Sequence, residues 1–235
     1  MTHIHKDIFV QHFACATAEE QWVGYNINNW WGYVSPRLVQ KHPEINLPDE
    51  KMNRTRLKEF CHTDSGASDI ECAIAVMAWG RKNRKHGITL FNRFAEIQPI
   101  IRDMRHSKVT HLEAYKRFDD IWKQPQNLGM GASYFTKLIF FSEPSRKGYI
   151  MDQWSSKSVN LLTGRDIVYL TNGYVNKKNT ADNYQLFCEY IESLAFRLGT
   201  SGENVEIGMF SKGGRKKWPW RQYVVDQTKK QKSKA

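Results

Sequence analysis

The chain has 235 residues, 25% of them charged and 40% apolar, with a formal net charge of +11 and a pI of about 9.5. That length holds one substantial domain, or two small ones sharing a core, and the composition excludes a disordered chain. The positive surplus points to polyanionic partners, and it is uneven: Lys212 to Lys234 carries nine Lys or Arg against the single Asp226.

The first residues, MTHIHKDIFVQ, show no apolar run of the kind a secretory signal needs, and no later stretch approaches 18 apolar residues. A soluble, cytoplasmic protein with no membrane partner is expected. The four cysteines (Cys15, Cys61, Cys72, Cys188) form no CxxC pair, which excludes a zinc knuckle or an iron–sulfur loop by spacing. No metal and no cofactor is expected, and a monomer is the simplest assembly.

Residues 20 to 66 hold Trp22, Trp30, Trp31 and Tyr33 among Asn and Pro, without a clean period. Such a segment packs on the core by its aromatics, or else it forms a stacking loop that lines a pocket. Ser68-Asp69-Ile70-Glu71 reads as a capping box, and Ile70, Ile74 and Met77 continue at helical spacing to Trp79. The pattern then breaks into GRKNRKHG, with four cations between two glycines. Thr110-His111-Leu112-Glu113 is a second capping box, opening a helix to about Lys123. A third helix runs from Ala132 to about Phe141. The clearest begins near Thr180 and stops at Gly199, with Tyr184, Phe187, Ile191, Leu194 and Leu198 on one stripe. VYLT (168–171) is the one tempting strand, so the protein is mainly α. The last residues read as a basic tail, solvated at its end but interrupted by aromatics in GRKKWPWR.

Between the second and third helices lies NLGMGAS. Two glycines around a methionine allow a phosphate close to the backbone, and a helix starting at once turns its free N–H groups and positive dipole end toward it. Gly129, Met130, Gly131 and Ser133 are therefore candidate backbone-gripping residues that read no sequence. The plainer reading is that the glycines only end one helix and begin another. Asp152 follows Gly131 by 21 residues, in the apolar setting YIMDQW. A carboxylate beside a bound sugar-phosphate can stabilise positive charge developing on the sugar, or orient a nucleophile toward C1′, as glycoside cleavage requires. It can equally be the N-cap of a helix at QWSSKSVNLL, and the two roles are compatible.

Together, GMG, an apolar helix and a single Asp at this distance resemble the helix-hairpin-helix DNA glycosylases, and most of all the 8-oxoguanine glycosylase-like branch found in bacteria and their defence islands. The likeness takes in AIAVMAWGRKNRKHGITLF (73–91), the GxGxSYxxK pattern ending at Lys137, and NVEIGMF (204–210). It implies a two-lobed helical fold with the active site in the cleft between lobes, built from an aromatic-rich segment 1–66, a glycosylase core 67–210 and a basic tail 211–235. It implies double-stranded DNA as partner and Asp152 as the catalytic carboxylate. Bifunctional members of the wider superfamily carry a Schiff-base lysine where this chain has Ser133, so a monofunctional reaction is expected. Lys137, one turn deeper, is the alternative amine.

Chemistry at C1′ requires the nucleotide out of the stack. Arg81, Lys82, Asn83 and Arg84 of the GRKNRKHG loop are candidate DNA contacts, with Arg81, Asn83 or Arg84 as the wedge that fills the gap. Trp30, Trp31, Trp79 and Trp154 are candidates for a flipped-base pocket, although each alone is more often core. Two substrates follow from the resemblance: an oxidised purine, or a modified base in phage DNA, since one defence-associated relative removes glucosylated hydroxymethylcytosine. YNINNWWGYVSPR (25–37) favours the latter, because aromatics stack on pyranose faces and Asn bonds hydroxyls. Two rivals remain: a non-catalytic DNA-binding module, which would have no need of Asp152, and an enzyme acting on free bases or nucleotides, which would have no need of the basic surplus.

Overall fold

The computed structural model describes residues 2–17, 22–42, 45–145, 147–210 and 219–232. They are mainly helical, and the chain divides into two compact units. Residues 23–150 form one unit; residues 1–22 and 151–235, the two ends of the chain, form the other.

The central unit is built on α4 (Asp69–Trp79), which is apolar all round and lies at the middle of its packing. Every residue from Cys72 to Trp79 is buried. Its start is the expected capping box: the Ser68 hydroxyl accepts from the Glu71 N–H, and the Glu71 carboxylate accepts from the Ser68 N–H at 2.7 Å. Around it pack α2 (Ile27–Val34), α3 (Arg54–Cys61), α6 (Phe94–Arg105) and α8 (Ala132–Ser142). The helix α5 (Arg84–Phe91) lies on α2, and α7 (His111–Trp122) on α6 and α8. A second capping box, Thr110 with Glu113, opens α7.

Three of these helices lie outside the sequence pattern. In α2 the Asn26 side chain accepts from the Asn29 N–H, and Ile27, Trp30 and Val34 are buried at helical spacing. Asn53 caps α3 in the same way, above buried Leu57 and Cys61. In α6 the interior Pro99 removes one backbone donor, yet Phe94, Ile97, Ile101 and Met104 keep the helix on the core. GRKNRKHG also differs from the expected loop: only its first four residues form a turn. Asn83 then caps α5, accepting from the Lys85 N–H at 2.9 Å.

The unit of the two chain ends packs α1 (Thr2–Thr17), α9 (Gln153–Thr163), α10 (Ala181–Leu198), α11 (Gly202–Phe210) and α12 (Pro219–Lys232). The tempting strand is a two-residue β1 (Leu170–Thr171), paired antiparallel with β2 (Tyr174–Val175). Asn172 and Gly173 join them with positive φ, as a tight hairpin of this twist demands. Part of the expected tail is core instead of solvated chain. Trp220 of α12 is buried, stands edge-on to Phe9 of α1 at 4.9 Å, and donates from Nε1 to the Ser158 hydroxyl at 2.9 Å. Residues 211–218 and 233–235 of that tail lie outside the described residues. Among the described residues no helix is long and apolar enough to cross a membrane.

Candidate nucleic-acid interface

The glycines of NLGMGAS have positions set by the protein itself. Gly129 has φ +77°, and a Cβ there would fall 2.4 Å from the His86 carbonyl oxygen and 2.8 Å from the Leu90 nitrogen, so only glycine lets the loop lie on α5. A Cβ on Gly131 would sit 3.0 Å from the Trp122 ring. Close packing against α5 and α7 therefore accounts for both glycines, where the sequence suggested room for a phosphate. The Met130 side chain is buried, leaving its backbone as the part that can meet a ligand. Helix α8 begins at Ala132 with no side-chain cap from Gly131, and Ser133 is half-buried. Its first N–H groups keep the capacity to bind an anion.

The turn 80–83 packs directly on this helix start. A Cβ on Gly80 would come within 3.1 Å of the Tyr134 ring and 3.2 Å of the Lys137 stem. Tyr134 donates from its hydroxyl to the Gly80 carbonyl at 3.2 Å. The structure thus brings together two groups of residues that the sequence singled out separately, Gly129 to Ser133 and Arg81 to Arg84. Lys137 is buried and curls back along α8, its Nζ donating to the Ser133 carbonyl at 2.7 Å. Lys82 is 5% exposed, and its Nζ lies 3.8 Å from the centre of the Tyr134 ring. Burial, and then the charge of Lys137, lower the Lys82 ammonium from its ordinary 10.5 to about 8.

Beside Lys82 opens a depression of about 420 Å³, lined by Tyr25, Tyr33, Asn83, Arg84 and Lys85 as well. The Arg84 guanidinium stands 5.0 Å from the Tyr33 ring centre and 5.9 Å from that of Tyr25. Aromatic faces beside cations suit a nucleotide, whose base stacks while its phosphate pairs.

Of the four tryptophans expected to line a base pocket, Trp30 and Trp79 are core. Trp30 has no exposed surface; its ring lies on Gly87 and against Phe91, and its Nε1 donates to the Lys82 carbonyl at 2.8 Å. Its bulk and its one donor are consumed inside α2, α5 and the turn. Trp79 is buried edge-on to Phe141 at 4.8 Å, with Arg54 over its ring at 5.6 Å. Trp31 is half-buried on Phe91 at 5.0 Å. Tyr25 and Tyr33, within the same insert, face the depression instead.

In the other unit Asp152 is buried and is the N-cap of α9. Its Oδ1 accepts from the Trp154 N–H at 2.7 Å and the Ser155 N–H at 3.1 Å, while the Ser155 hydroxyl meets the Asp152 N–H at 3.0 Å. These bonds, and the positive end of α9, hold a buried carboxylate in one orientation. Arg221 of α12 is its cationic neighbour. The guanidinium is packed between Trp154 and Phe210, 4.5 and 4.8 Å from their ring centres, and donates to the Phe210 carbonyl at 2.8 Å. Burial lowers the pKa of Arg221, and the charge of Asp152 opposes that shift. Lys157 also lies over Trp154, at 4.5 Å, so two cations stand against this half-buried ring. Arg221 is a site residue that sequence reasoning missed; its one signal was the pair of tryptophans that interrupt GRKKWPWR.

A family model described as "Putative 8-oxoguanine DNA glycosylase OGG-like protein" matches residues 16–210. No curated protein and no solved structure matches the chain. The match spans the helix start at 131–133, the turn at 80–83 and the capped carboxylate of Asp152, and by it the chain belongs to the family of OGG-like 8-oxoguanine DNA glycosylases.

Proposed function

We propose that the protein excises a modified base from duplex DNA, with Asp152 as the catalytic carboxylate. The observation that carries this reading is the buried, doubly hydrogen-bonded Asp152 at the start of α9. A structural cap has no need of burial beside an arginine, whereas a carboxylate that must stabilise an oxocarbenium-like sugar gains from being fixed in place before the substrate arrives. The uncapped start of α8 and the cations of the turn 80–83 supply backbone grip, and extrusion of the base costs a few kcal/mol that such contacts offset. Ser133 stands where bifunctional relatives of the wider superfamily hold a lysine, so base release falls to a water directed by Asp152.

Two substrate readings each have an observation in their favour. The family description points to an oxidised purine. The aromatic insert points to a sugar-bearing base such as the glucosylated hydroxymethylcytosine of phage DNA. That second reading rests on Tyr25 and Tyr33, because Trp30 is core. Duplexes containing 8-oxoguanine, uracil, hydroxymethylcytosine or glucosylated hydroxymethylcytosine, incubated with the protein and analysed for free bases by mass spectrometry, decide between them. Release of one modified base by the native protein and not by Asp152→Asn is the expected result. Release of none, with DNA binding intact, would leave only the binding-module reading.

A further inference from the structure

The two carboxylate oxygens of Asp152 are used unequally. Oδ1 accepts from the Trp154 and Ser155 N–H groups and lies 3.3 Å from the Ser155 hydroxyl. Oδ2 has no hydrogen-bond partner among the described residues. Arg221, the neighbouring cation, does not take that place. Its guanidinium stands 4.5 Å from the Trp154 ring centre and 4.8 Å from that of Phe210, and donates to the Phe210 carbonyl at 2.8 Å. The residue is 7% exposed, and its Nε is buried with no partner among the described residues. No ion pair joins Arg221 to Asp152 among the described residues, yet the charges act on each other: burial lowers the pKa of Arg221, and Asp152 opposes that shift. A buried donor without an acceptor costs stability, and an apolar side chain would fill the slot between the rings without that cost. Arg221 belongs to α12, beyond the residues 16–210 that the family model matches.

We propose that Arg221 is a positioning residue for base excision, which holds Trp154, and through it Asp152, with Oδ2 left open to the substrate. The inference rests on the reading of Asp152 as the catalytic carboxylate. The contacts form an unbroken chain: the Phe210 carbonyl fixes the guanidinium, the guanidinium lies on the Trp154 ring, and the Trp154 N–H fixes Oδ1. Lys157 stands over the same ring at 4.5 Å, so cations from α9 and α12 both hold it. A buried carboxylate loses further hydration when DNA covers it, and a nearby cation then keeps it ionised. A cation in direct contact would do the same, but it would occupy Oδ2 and neutralise the charge that an oxocarbenium-like sugar needs. Stacked on the ring instead, Arg221 gives the first effect without the second. A planar guanidinium suits a slot between two rings, where an ammonium would not stack. Oδ2 is then the oxygen that faces C1′ or orients the water.

The test uses the full-length protein with duplexes that contain 8-oxoguanine or glucosylated hydroxymethylcytosine. Single-turnover base release, duplex affinity and chemical denaturation are measured for Arg221→Met, Asp152→Asn and the double variant. Arg221→Met should bind duplex as the native protein does, because the side chain is buried, while base release slows by about 100-fold. Arg221→Lys restores the charge without the plane, and its rate should fall between those two. In Arg221→Ala, guanidinium ion below denaturing concentration should restore part of the rate. Urea, of similar shape but uncharged, should not. Base release at the native rate in Arg221→Met, or rescue by urea equal to that by guanidinium, would overturn the role of Arg221 and leave that of Asp152 standing. Native-rate release by Asp152→Asn would instead overturn the catalytic reading, and the role of Arg221 with it. Denaturation gives a readout that needs no base release: the effect of Arg221→Met on stability should change in the Asp152→Asn background. Strictly additive effects would show that the two side chains do not act together, and would overturn the proposal.

Discussion

The indole Nε1 of Trp30 donates to the carbonyl oxygen of Lys82 at 2.8 Å, across 52 residues of sequence and inside the core. One bond therefore ties the aromatic insert to the basic turn, and it settles Trp30, which the sequence leaves open between core and pocket, as core. The prediction is that Trp30 acts through the turn. Trp30→Phe should keep most of the packing but leave the Lys82 carbonyl without its donor, at a cost of about 1–3 kcal/mol. Trp30→Ala adds a cavity, for about 3–5 kcal/mol in all. Chemical denaturation measures both, and amide exchange at residues 80–83 should quicken in Trp30→Phe. A Phe variant as stable as the native protein would show the bond to be idle.

The buried ammonium of Lys82 makes stability depend on pH. Its folded value, about 8, lies below the ordinary 10.5, so the unfolded chain binds the extra proton between those limits and stability gained from this group rises with pH across that window. The difference of two to three pKa units corresponds to about 3 kcal/mol. Lys82→Met removes the charge and keeps the stem. It should be more stable than the native protein at pH 7, and the gap should close as pH approaches 10.5. Tyr190 works in the opposite sense: burial raises its hydroxyl to about 12, so its contribution is present below pH 10 and lost above it. The comparison of variant with native protein cancels that second effect. A gap independent of pH would mean that Lys82 titrates normally.

Asp152 combines a cap with a chemical role, and substitutions separate the two. Asparagine is as good an N-cap as aspartate, so Asp152→Asn should fold with stability near that of the native protein, while base release falls by about 100- to 1,000-fold. Asp152→Ala should lose both, the stability by about 1 kcal/mol. Melting curves alongside single-turnover excision rates give the readout. An Asn variant that excises at the native rate would reduce Asp152 to a cap.

How much of this was legible in the sequence follows from how local each signal is. The boxes Ser68/Glu71 and Thr110/Glu113 are complete within four residues, and both helices start where those residues say. Asp152 before QWSSKSVNLL is equally local, since both the cap and the buried setting are written in adjacent residues. The short helices α2 and α3 carry only three buried positions each, Ile27, Trp30, Val34 and Arg54, Leu57, Cys61, too few for a period to stand out among Asn and Pro. The fate of individual aromatics was legible only as a default: each tryptophan taken singly reads as core, which holds for Trp30 and Trp79, while nothing local says which aromatics leave it. Trp30 and Tyr33 sit three residues apart on one short helix, and what buries one and opens the other to a depression is the presence of Gly87 and Lys82 far along the chain. Arg221 was hidden for the same reason: its partners, Trp154 and Phe210, are distant in sequence.

The distribution of charge leads to a last prediction, about which cations meet DNA. The basic end of the chain cannot be removed whole without cost, because Trp220 and Arg221 of α12 are core. Exposed cations can be changed in pairs instead: Arg84 and Lys85 border the depression beside Lys82, whereas Lys229 and Lys230 lie on the last turns of α12. Each phosphate that is no longer neutralised should lower the log–log slope of duplex affinity against salt by about 0.9. Arg84→Ala with Lys85→Ala should therefore flatten that slope by the equivalent of one to two phosphates and weaken all duplexes alike, since backbone contacts read no sequence. Lys229→Ala with Lys230→Ala serves as the matched removal of two charges elsewhere on the chain. If only the first pair changes the slope, the turn and the start of α5 are the phosphate-binding surface. If both pairs change it equally, binding reflects net charge alone, and the depression beside Lys82 loses its claim to a nucleotide.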